Sequence, residues 1–161
     1  MKPEYKTLPY RPGVGLLIFN ANGEVFIGER LDNPGAWQMP QGGIDDEDNT
    51  FEDAVYRELY EETGIKNAEV LKVTEDWLYY DLPNYLIPKI WGGRYRGQKQ
   101  KWVALRFTGA ENEVNLHTCR YPEFGKWQWI CPTLVLDLIV PFKRNTYETV
   151  FEEFQDILEN L

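Results

Sequence analysis

Three glutamates stand close together in the middle of the chain, at Glu58, Glu61 and Glu62. The surrounding residues 50–63 have the apolar spacing of a helix, and at 3.6 residues per turn the three carboxylates are near neighbours. Like charges three and four positions apart repel, so the cluster indicates a counter-charge. A hard divalent cation such as Mg2+ prefers carboxylate oxygens and binds together with substrate phosphates. The spacing therefore predicts cation-assisted chemistry on a phosphate compound.

The segment that begins at Gly42, GGIDDEDNTFEDAVYRELYEETGI, resembles the Nudix box, G-x5-E-x7-R-E-U-x-E-E-x-G-U, with U aliphatic. Its second half, which begins at Arg57, matches without a gap. The first half departs from the pattern, because Asp48 stands six residues after Gly42 and Asn49 stands eight before Arg57. The loop is one residue longer, and its glutamate is missing. Either Glu47 or Asp48 could supply that carboxylate.

Motifs outside this box are similar to those of bacterial RNA pyrophosphohydrolases and of the dinucleoside polyphosphate hydrolases of the same Nudix branch. The specific ones are WQMPQGG, which begins at Trp37, and GQKQKW, which begins at Gly97, whereas PEF at Pro122 is weak alone. The similarity covers residues 8–154. It implies an α/β/α Nudix sandwich with a mixed sheet between helices. It also implies hydrolysis of 5′-polyphosphate ends with Mg2+, or alternatively Mn2+, as cofactor.

The resemblance further implies roles for individual residues. The metal site is expected to comprise four carboxylates and one backbone position, namely Glu58, Glu61, Glu62, Glu123 and Gly42. Glu61, Glu62 and Glu123 are also the candidates for the group that activates the attacking water, and the choice among them stays open. Arg57 belongs to the catalytic set, and we expect it to hold the loop or a glutamate side chain rather than to touch the substrate.

Basic and polar residues are expected to hold the phosphates and the first nucleotide, namely Arg11, Arg30, Gln98, Lys99, Lys101 and Tyr79. In an alternating strand Lys99 and Lys101 would share one face and could act together. Trp37, Tyr79 and Trp127 are candidates for stacking on a nucleobase. A structural role is the alternative for each of these residues, as a turn residue, a solvated strand lysine or a core aromatic.

Apolar patterns place the elements that must position these residues. Strands are predicted at 14–19, 25–28, 36–40, 101–108 and 124–130, with a β-rich segment at 70–80. The Asn-Gly pair that ends at Gly23 predicts a hairpin turn between the first two strands. Helices are predicted at 50–63, at 133–140 and from residue 146, with a loop at 81–96.

Composition limits the class of protein. With 161 residues, 43% hydrophobic and 15% aromatic, the chain should fold as one domain over residues 1–161. A net charge of −9 argues against long-range attraction to nucleic acid, so we expect no DNA partner and limited contact with RNA beyond its 5′ end. The first thirteen residues are polar and broken by prolines, unlike the apolar part of a secretory leader, and no apolar run reaches spanning length, so we expect a cytoplasmic protein without a membrane partner. Two cysteines do not indicate a disulfide framework.

The favoured reaction is removal of pyrophosphate, or of successive phosphates, from 5′-triphosphorylated RNA. One alternative is the same chemistry on a diadenosine or other dinucleoside polyphosphate. The other is a catalytically weak module that binds nucleotides or RNA, which the disturbed first half of the box motivates and the intact glutamates oppose. If the metal hypothesis is right, Glu58 and Glu62 should face one open cleft with Arg11 or Lys101 at its wall.

Overall fold

The computed structural model describes residues 1–160, in which one eight-stranded mixed sheet lies between two layers of helices. The strands, in chain order, are β1 (Tyr10–Phe19), β2 (Val25–Arg30), β3 (Trp37–Gln38), β4 (Gln41–Gly43), β5 (Ala68–Val73), β6 (Leu78–Asp81), β7 (Gly97–Phe107) and β8 (Phe124–Ile130). The helices are α1 (Phe51–Thr63), α2 (Pro132–Leu138), α3 (Arg144–Glu153) and α4 (Gln155–Glu159).

Strand β1 forms the centre of the sheet. It pairs in parallel with β7 over its whole length, from Tyr10 opposite Gly97 to Phe19 opposite Arg106. It also pairs antiparallel with β2 and with β4. Strands β5 and β6 pair antiparallel with β7, while β3 and β8 pair antiparallel with β2.

The apolar patterns located β1 and β7 but missed their first four residues. The apolar runs cover only the parts of these strands that lie between the helix layers. The polar starts, from Tyr10 and from Gly97, are extended because they pair with each other beyond the core. Because of this extension, Arg11 lies directly opposite Gln98 in the pairing of β1 with β7. Both residues belong to the candidate site described below.

Alternate residues of β1 enter two separate cores, because successive side chains of a strand point to opposite faces. Leu16 and Ile18 pack with α1, whereas Leu17 and Phe19 pack with α2 and α3. The sheet is thus covered on both faces, which confirms the expected α/β/α sandwich.

Helix α1, which carries the acidic cluster, begins and ends at capped residues. The hydroxyl of Thr50 accepts a hydrogen bond from the backbone N–H of Asp53 at 3.1 Å. Gly64 takes a left-handed conformation with φ of 76° and donates its N–H to the carbonyl of Tyr60 at 2.8 Å. Both ends agree to within one residue with the helix predicted at 50–63.

Two predicted elements differ from the structure. The C-terminal helix is divided into α3 and α4 at Phe154, whose φ of −101° and ψ of 10° are not helical. Phe154 is fully buried, so the break lets its ring enter the core while the chain continues. The predicted strand at 36–40 is reduced to the two residues of β3, because pairing with β2 covers only Trp37 and Gln38. The loop at 81–96 contains two short 3-10 turns.

No helix within residues 1–160 is long and apolar enough to cross a membrane. Cys119 is half-buried and Cys131 is exposed, and both are free thiols. The cysteines therefore form no disulfide framework, as predicted from their number.

Candidate active site

A cavity of about 900 Å³ lies beside the first residues of β1 and β7 and the acidic face of α1. Its acidic lining residues are Glu58, Glu61, Glu62 and Glu123, and its basic ones include Arg11, Arg30, Lys89 and Lys143. Such a volume lies within the range of about 300–1,000 Å³ typical of small-molecule sites. As predicted, Glu58, Glu62 and Arg11 line one cavity. Lys101, the alternative to Arg11, does not line it.

Arg57 ties the loop before α1 to the helix. Its guanidinium donates to the Asp48 carboxylate at 2.9 and 2.8 Å and to the carbonyl of Gly43 at 2.9 Å. It also donates to Glu58 at 2.8 Å and to Glu61 at 3.2 Å. Arg57 does not line the cavity, so it positions two glutamates and the glycine loop, as expected from the sequence.

Two residues, Glu47 and Asp48, were candidates for the carboxylate that replaces the missing glutamate of the Nudix pattern. The structure places Asp48, not Glu47, against Arg57. Its contact with Arg57 lowers the pKa of Asp48, and its oxygen also accepts the backbone N–H of Asp45 at 2.9 Å. Glu47 is exposed. The extra loop residue is therefore accommodated, and a shorter acidic side chain reaches the arginine.

Glu58 and Glu62 are acidic groups held in an unfavourable environment for charge. Burial raises the pKa of Glu58 to about 7, although Arg57 opposes this shift. Burial also raises the pKa of Glu62 well above its usual value, and the nearby charges of Glu58 and Glu123 add to the effect. One oxygen of Glu62 accepts the backbone N–H of Gln41 at 3.1 Å. A further positive charge beside the two carboxylates would therefore favour their ionised forms.

The donor set fits a hard divalent cation. Its ligands would be carboxylate oxygens of Glu58, Glu61, Glu62 and Glu123, with the backbone at Gly42 beside them. A side chain at Gly42 would collide with the carboxylate of Glu58, so glycine keeps this backbone open. Within residues 1–160, no three acidic, histidine or cysteine side chains already converge into a metal cage. Arg57 engages two of the glutamates, and mutual repulsion opposes a closer approach of the carboxylates unless a cation lies between them.

Two arginines predicted from the sequence lie on the cavity lining. Arg11 places its guanidinium carbon 5.2 Å from the ring centroid of Trp91 and packs over Gly43. No ion pair engages Arg11 within residues 1–160, so its charge is directed to the cavity. Arg30, by contrast, binds both carboxylate oxygens of Asp32, at 2.8 and 2.7 Å.

Lys143 is a cavity residue that the analysis of the sequence did not single out. Its side chain is 4% exposed, and its ammonium donates to the amide oxygen of Gln38 at 3.2 Å and lies 5.6 Å from the ring centroid of Tyr80. Burial, followed by the charge of Arg30, lowers the pKa of Lys143 to about 7. No local pattern of the sequence indicated that this lysine would enter the cavity.

Gln98 contributes a buried amide to the cavity, as predicted. Its oxygen accepts the hydroxyl of Tyr80 at 2.8 Å and the amide of Gln100 at 3.2 Å. Its amide nitrogen is buried without a hydrogen-bond partner within residues 1–160. A buried donor without a partner is costly unless a ligand satisfies it, so this nitrogen is suited to a substrate oxygen.

Three predicted substrate contacts need correction. Lys99, Lys101 and Tyr79 do not line the cavity, because they alternate with Gln98, Gln100 and Tyr80 and so point to the opposite face of the sheet. The two lysines do share a face, where their ammonium groups lie 4.8 and 5.7 Å from the ring centroid of Trp77.

The aromatic residues proposed for base stacking also lie elsewhere. Tyr79 packs edge-on against Tyr10, with 4.9 Å between ring centroids. Trp127 stacks on Phe26 at 5.4 Å in the core, and Trp37 packs against the core beside α3. Within β6 the tyrosine that lines the cavity is the next residue, Tyr80, which the period of the strand would have selected had its register been known.

The chain belongs to the Nudix family, since the model of the NUDIX domain matches residues 9–150. An RNA pyrophosphohydrolase of Rhodospirillum rubrum is 53% identical over 146 residues, covering 91% of this chain and 87% of that protein. Another from Roseobacter denitrificans is 50% identical over 155 residues, covering 94% and 96%.

Solved structures show the same fold at lower identity. The dihydroneopterin triphosphate pyrophosphohydrolase of E. coli superposes with a TM-score of 0.68 at 17% identity, covering 88% of this chain and 96% of that one. An Ap4A hydrolase of C. elegans superposes with a TM-score of 0.65 at 18% identity, covering 91% and 98%. These likenesses confirm the Nudix architecture.

Proposed function

We propose that this protein hydrolyses the phosphoanhydride of 5′-triphosphorylated RNA and leaves a 5′-monophosphate. The observation that carries the proposal is the charge arrangement of one cavity. Four carboxylates line it together with the basic side chains of Arg11 and Lys143. Relatives about half identical over nearly the whole chain are named RNA pyrophosphohydrolases, which supports this substrate class.

Several groups of the cavity have a role in this reaction. Mg2+, or Mn2+, held by the glutamates would neutralise phosphate oxygens and lower the pKa of a bound water. Arg11 and Lys143 stabilise the charge that develops on the departing phosphate. The unpartnered amide nitrogen of Gln98 donates to a substrate oxygen. Glu61, Glu62 and Glu123 remain the candidates for the group that accepts the proton of the attacking water.

No covalent intermediate is required, because water attacks a phosphorus of the phosphoanhydride directly, and the bond from that phosphorus to the bridging oxygen breaks so that the oxygen leaves with the departing phosphate. Arg57 acts by holding Glu58 and Glu61 rather than by contact with the substrate, since it lies outside the cavity lining. Phosphoryl transfer depends mainly on positioning and charge stabilisation, which suits a rigid helix that carries the glutamates.

The test compares release of phosphate and pyrophosphate from 5′-triphosphorylated RNA and from a diadenosine polyphosphate, at matched concentrations with Mg2+. The Glu62→Gln variant is the blank. A higher kcat/KM for RNA supports the proposal. Faster cleavage of the diadenosine polyphosphate would indicate instead that the protein is a dinucleoside polyphosphate hydrolase. Binding of either compound without turnover would favour the nucleotide-binding module.

A further inference from the structure

Two tyrosines at the rim of the catalytic cavity have no role in the chemistry described above. Tyr85 and Tyr121 both line the cavity, yet they are 65% and 77% exposed. They are the two most exposed large hydrophobic residues within residues 1–160. A single exposed ring needs no explanation, but two at the rim of one charged cavity form a set.

Each tyrosine is accompanied by a cationic side chain. The guanidinium carbon of Arg120 lies 5.5 Å from the ring centroid of Tyr121. Lys89 follows Tyr85 in the loop between β6 and β7, is exposed and lines the same cavity. Aromatic rings combined with cations are the composition of sites for single-stranded nucleic acid, where rings stack on bases and cations neutralise phosphates.

The size of the cavity explains why such a rim would be needed. About 900 Å³ is close to the upper limit of small-molecule sites, which suffices for a polyphosphate and the first nucleotides of an end. A longer RNA must leave through the rim. Its next bases are then unpaired and separated, and they meet the part of the lining where the exposed rings stand.

We propose that Tyr85 and Tyr121 are stacking platforms for the RNA bases that leave the cavity, with Lys89 and Arg120 beside the intervening phosphates. The inference rests on the proposed function and deepens it. Stacking on these rings would favour RNA ends that are long enough to reach them. Contact with RNA beyond its end is confined to this rim, in keeping with the net charge of −9.

The test measures kcat/KM with Mg2+ on a series of 5′-triphosphorylated RNAs that begins with the dinucleotide and lengthens by one nucleotide at a time. The readout is the ratio of kcat/KM for the longest RNA to that for the shortest. Tyr85→Ala and Tyr121→Ala should each lower this ratio about five- to tenfold, in line with the loss of one exposed stacking contact.

Matched variants separate stacking from a structural effect. Tyr85→Phe and Tyr121→Phe keep the ring and should keep the ratio, whereas leucine should lower it as alanine does. Tyr56→Ala, which removes an exposed tyrosine of α1 away from the cavity, should leave the ratio unchanged. A disturbance of the nearby Glu123 would reduce kcat for all RNAs equally, and this result would overturn the stacking role of Tyr121.

The outcomes distinguish this inference from the proposed function. Hydrolysis of RNA with a ratio that alanine does not change refutes the stacking platforms and leaves the proposed function standing. Hydrolysis of a diadenosine polyphosphate without hydrolysis of any RNA refutes both.

Discussion

Arg57 and Asp48 form a two-point ion pair across nine residues, with Nε to Oδ1 at 2.9 Å and Nη2 to Oδ2 at 2.8 Å. This contact joins a loop that is one residue longer than the Nudix pattern to the helix that carries the glutamates. It explains how the first half of the motif can depart from the pattern while the second half keeps its geometry.

Removing this contact should loosen the site. Asp48→Ala is expected to lower the free energy of unfolding by about 1.5–3 kcal/mol, because it removes a charge-assisted pair and leaves Arg57 with fewer partners. It should also reduce kcat/KM, since the guanidinium also positions Glu58 and Glu61. Chemical denaturation and steady-state kinetics measure both effects. Glu47→Ala is the control, and an equal loss there would contradict the assignment to Asp48.

Glu62→Gln should abolish most of the metal-dependent turnover. Glutamine keeps the size of the side chain and a hydrogen-bond acceptor for the backbone N–H of Gln41, but it removes the charge that a cation needs. A fall in kcat/KM of about 100-fold or more is expected, together with weaker Mg2+ binding by calorimetry. Glu52→Gln, at an exposed position of the same helix, provides the comparison. Unchanged Mg2+ affinity in Glu62→Gln would exclude Glu62 as a ligand.

The stability of the metal-free protein should fall as pH rises from about 4.5 to about 7. The pKa of Glu58 is raised from 4.5 to about 7 in the folded state, so between these values the folded protein binds more protons than the unfolded one. Stability present at the lower pH is lost through this window, by on the order of 2–3 kcal/mol.

Thermal unfolding over this pH range, with and without Mg2+, checks the sign of the effect. Glu58→Gln should weaken the dependence, because glutamine does not titrate, but not remove it, because the pKa of Glu62 is also raised by burial. Saturating Mg2+ should oppose the loss, since it binds the ionised form. The contrary result is a free energy of unfolding that rises from pH 4.5 to 7 more in the unmodified protein than in Glu58→Gln. That result would show that burial does not destabilise the Glu58 carboxylate.

Lys143→Met should stabilise the protein near neutral pH and reduce its activity. Burial lowers the pKa of Lys143 from 10.5 to about 7, so the charged amine costs stability below pH 7, and the cost disappears as pH rises toward 10.5. The free energy of unfolding of the variant is expected to be about 1 kcal/mol higher at pH 6, and its kcat/KM about tenfold lower. At this residue stability and function would then have opposite requirements.

The gain of Lys143→Met over the unmodified protein should shrink between pH 7 and 10, which a series of unfolding experiments can follow. Lys126→Met, at an exposed position of β8, is the matched control and should change neither quantity. A variant that is less stable at every pH would mean that the hydrogen bond to Gln38 outweighs the cost of burial.

Substitution of a basic residue should reduce activity on the face of the sheet that meets the cavity and have little effect on the opposite face. Arg11→Ala should reduce kcat/KM about 10- to 100-fold, because its charge lies in the cavity without an ion-pair partner there. Lys99→Ala should change it less than about twofold, since the ammonium packs on Trp77 on the other face. Steady-state kinetics on triphosphorylated RNA test this contrast, and a large loss in Lys99→Ala would show that the substrate reaches both faces.

Local patterns predicted the parts of the site that depend on one element. The period of a helix grouped Glu58, Glu61 and Glu62, and the helix predicted at 50–63 matches α1 to within one residue. The family resemblance added Arg11, Gln98 and Glu123, which all line the cavity.

Properties that depend on register and on distant contacts were not accessible in this way. The face of β6 that meets the cavity is set by pairing with β7, so Tyr79 was predicted where Tyr80 lies. Lys143 enters the site because the turn before α3 packs under the cavity, and no pattern in the sequence indicates this contact.

The parallel pair of β1 and β7 also governs when the site can form during synthesis. Arg11 lies opposite Gln98, so these two residues can pair only after the ribosome has synthesised residues 91–110, which contain β7. Glu123 arrives later still, on the loop before β8. A nascent chain therefore holds the acidic helix well before it holds the opposing wall, and strand pairings so distant in sequence are slow to close. Catalytic competence should consequently appear late and abruptly, as the central pair of strands meets.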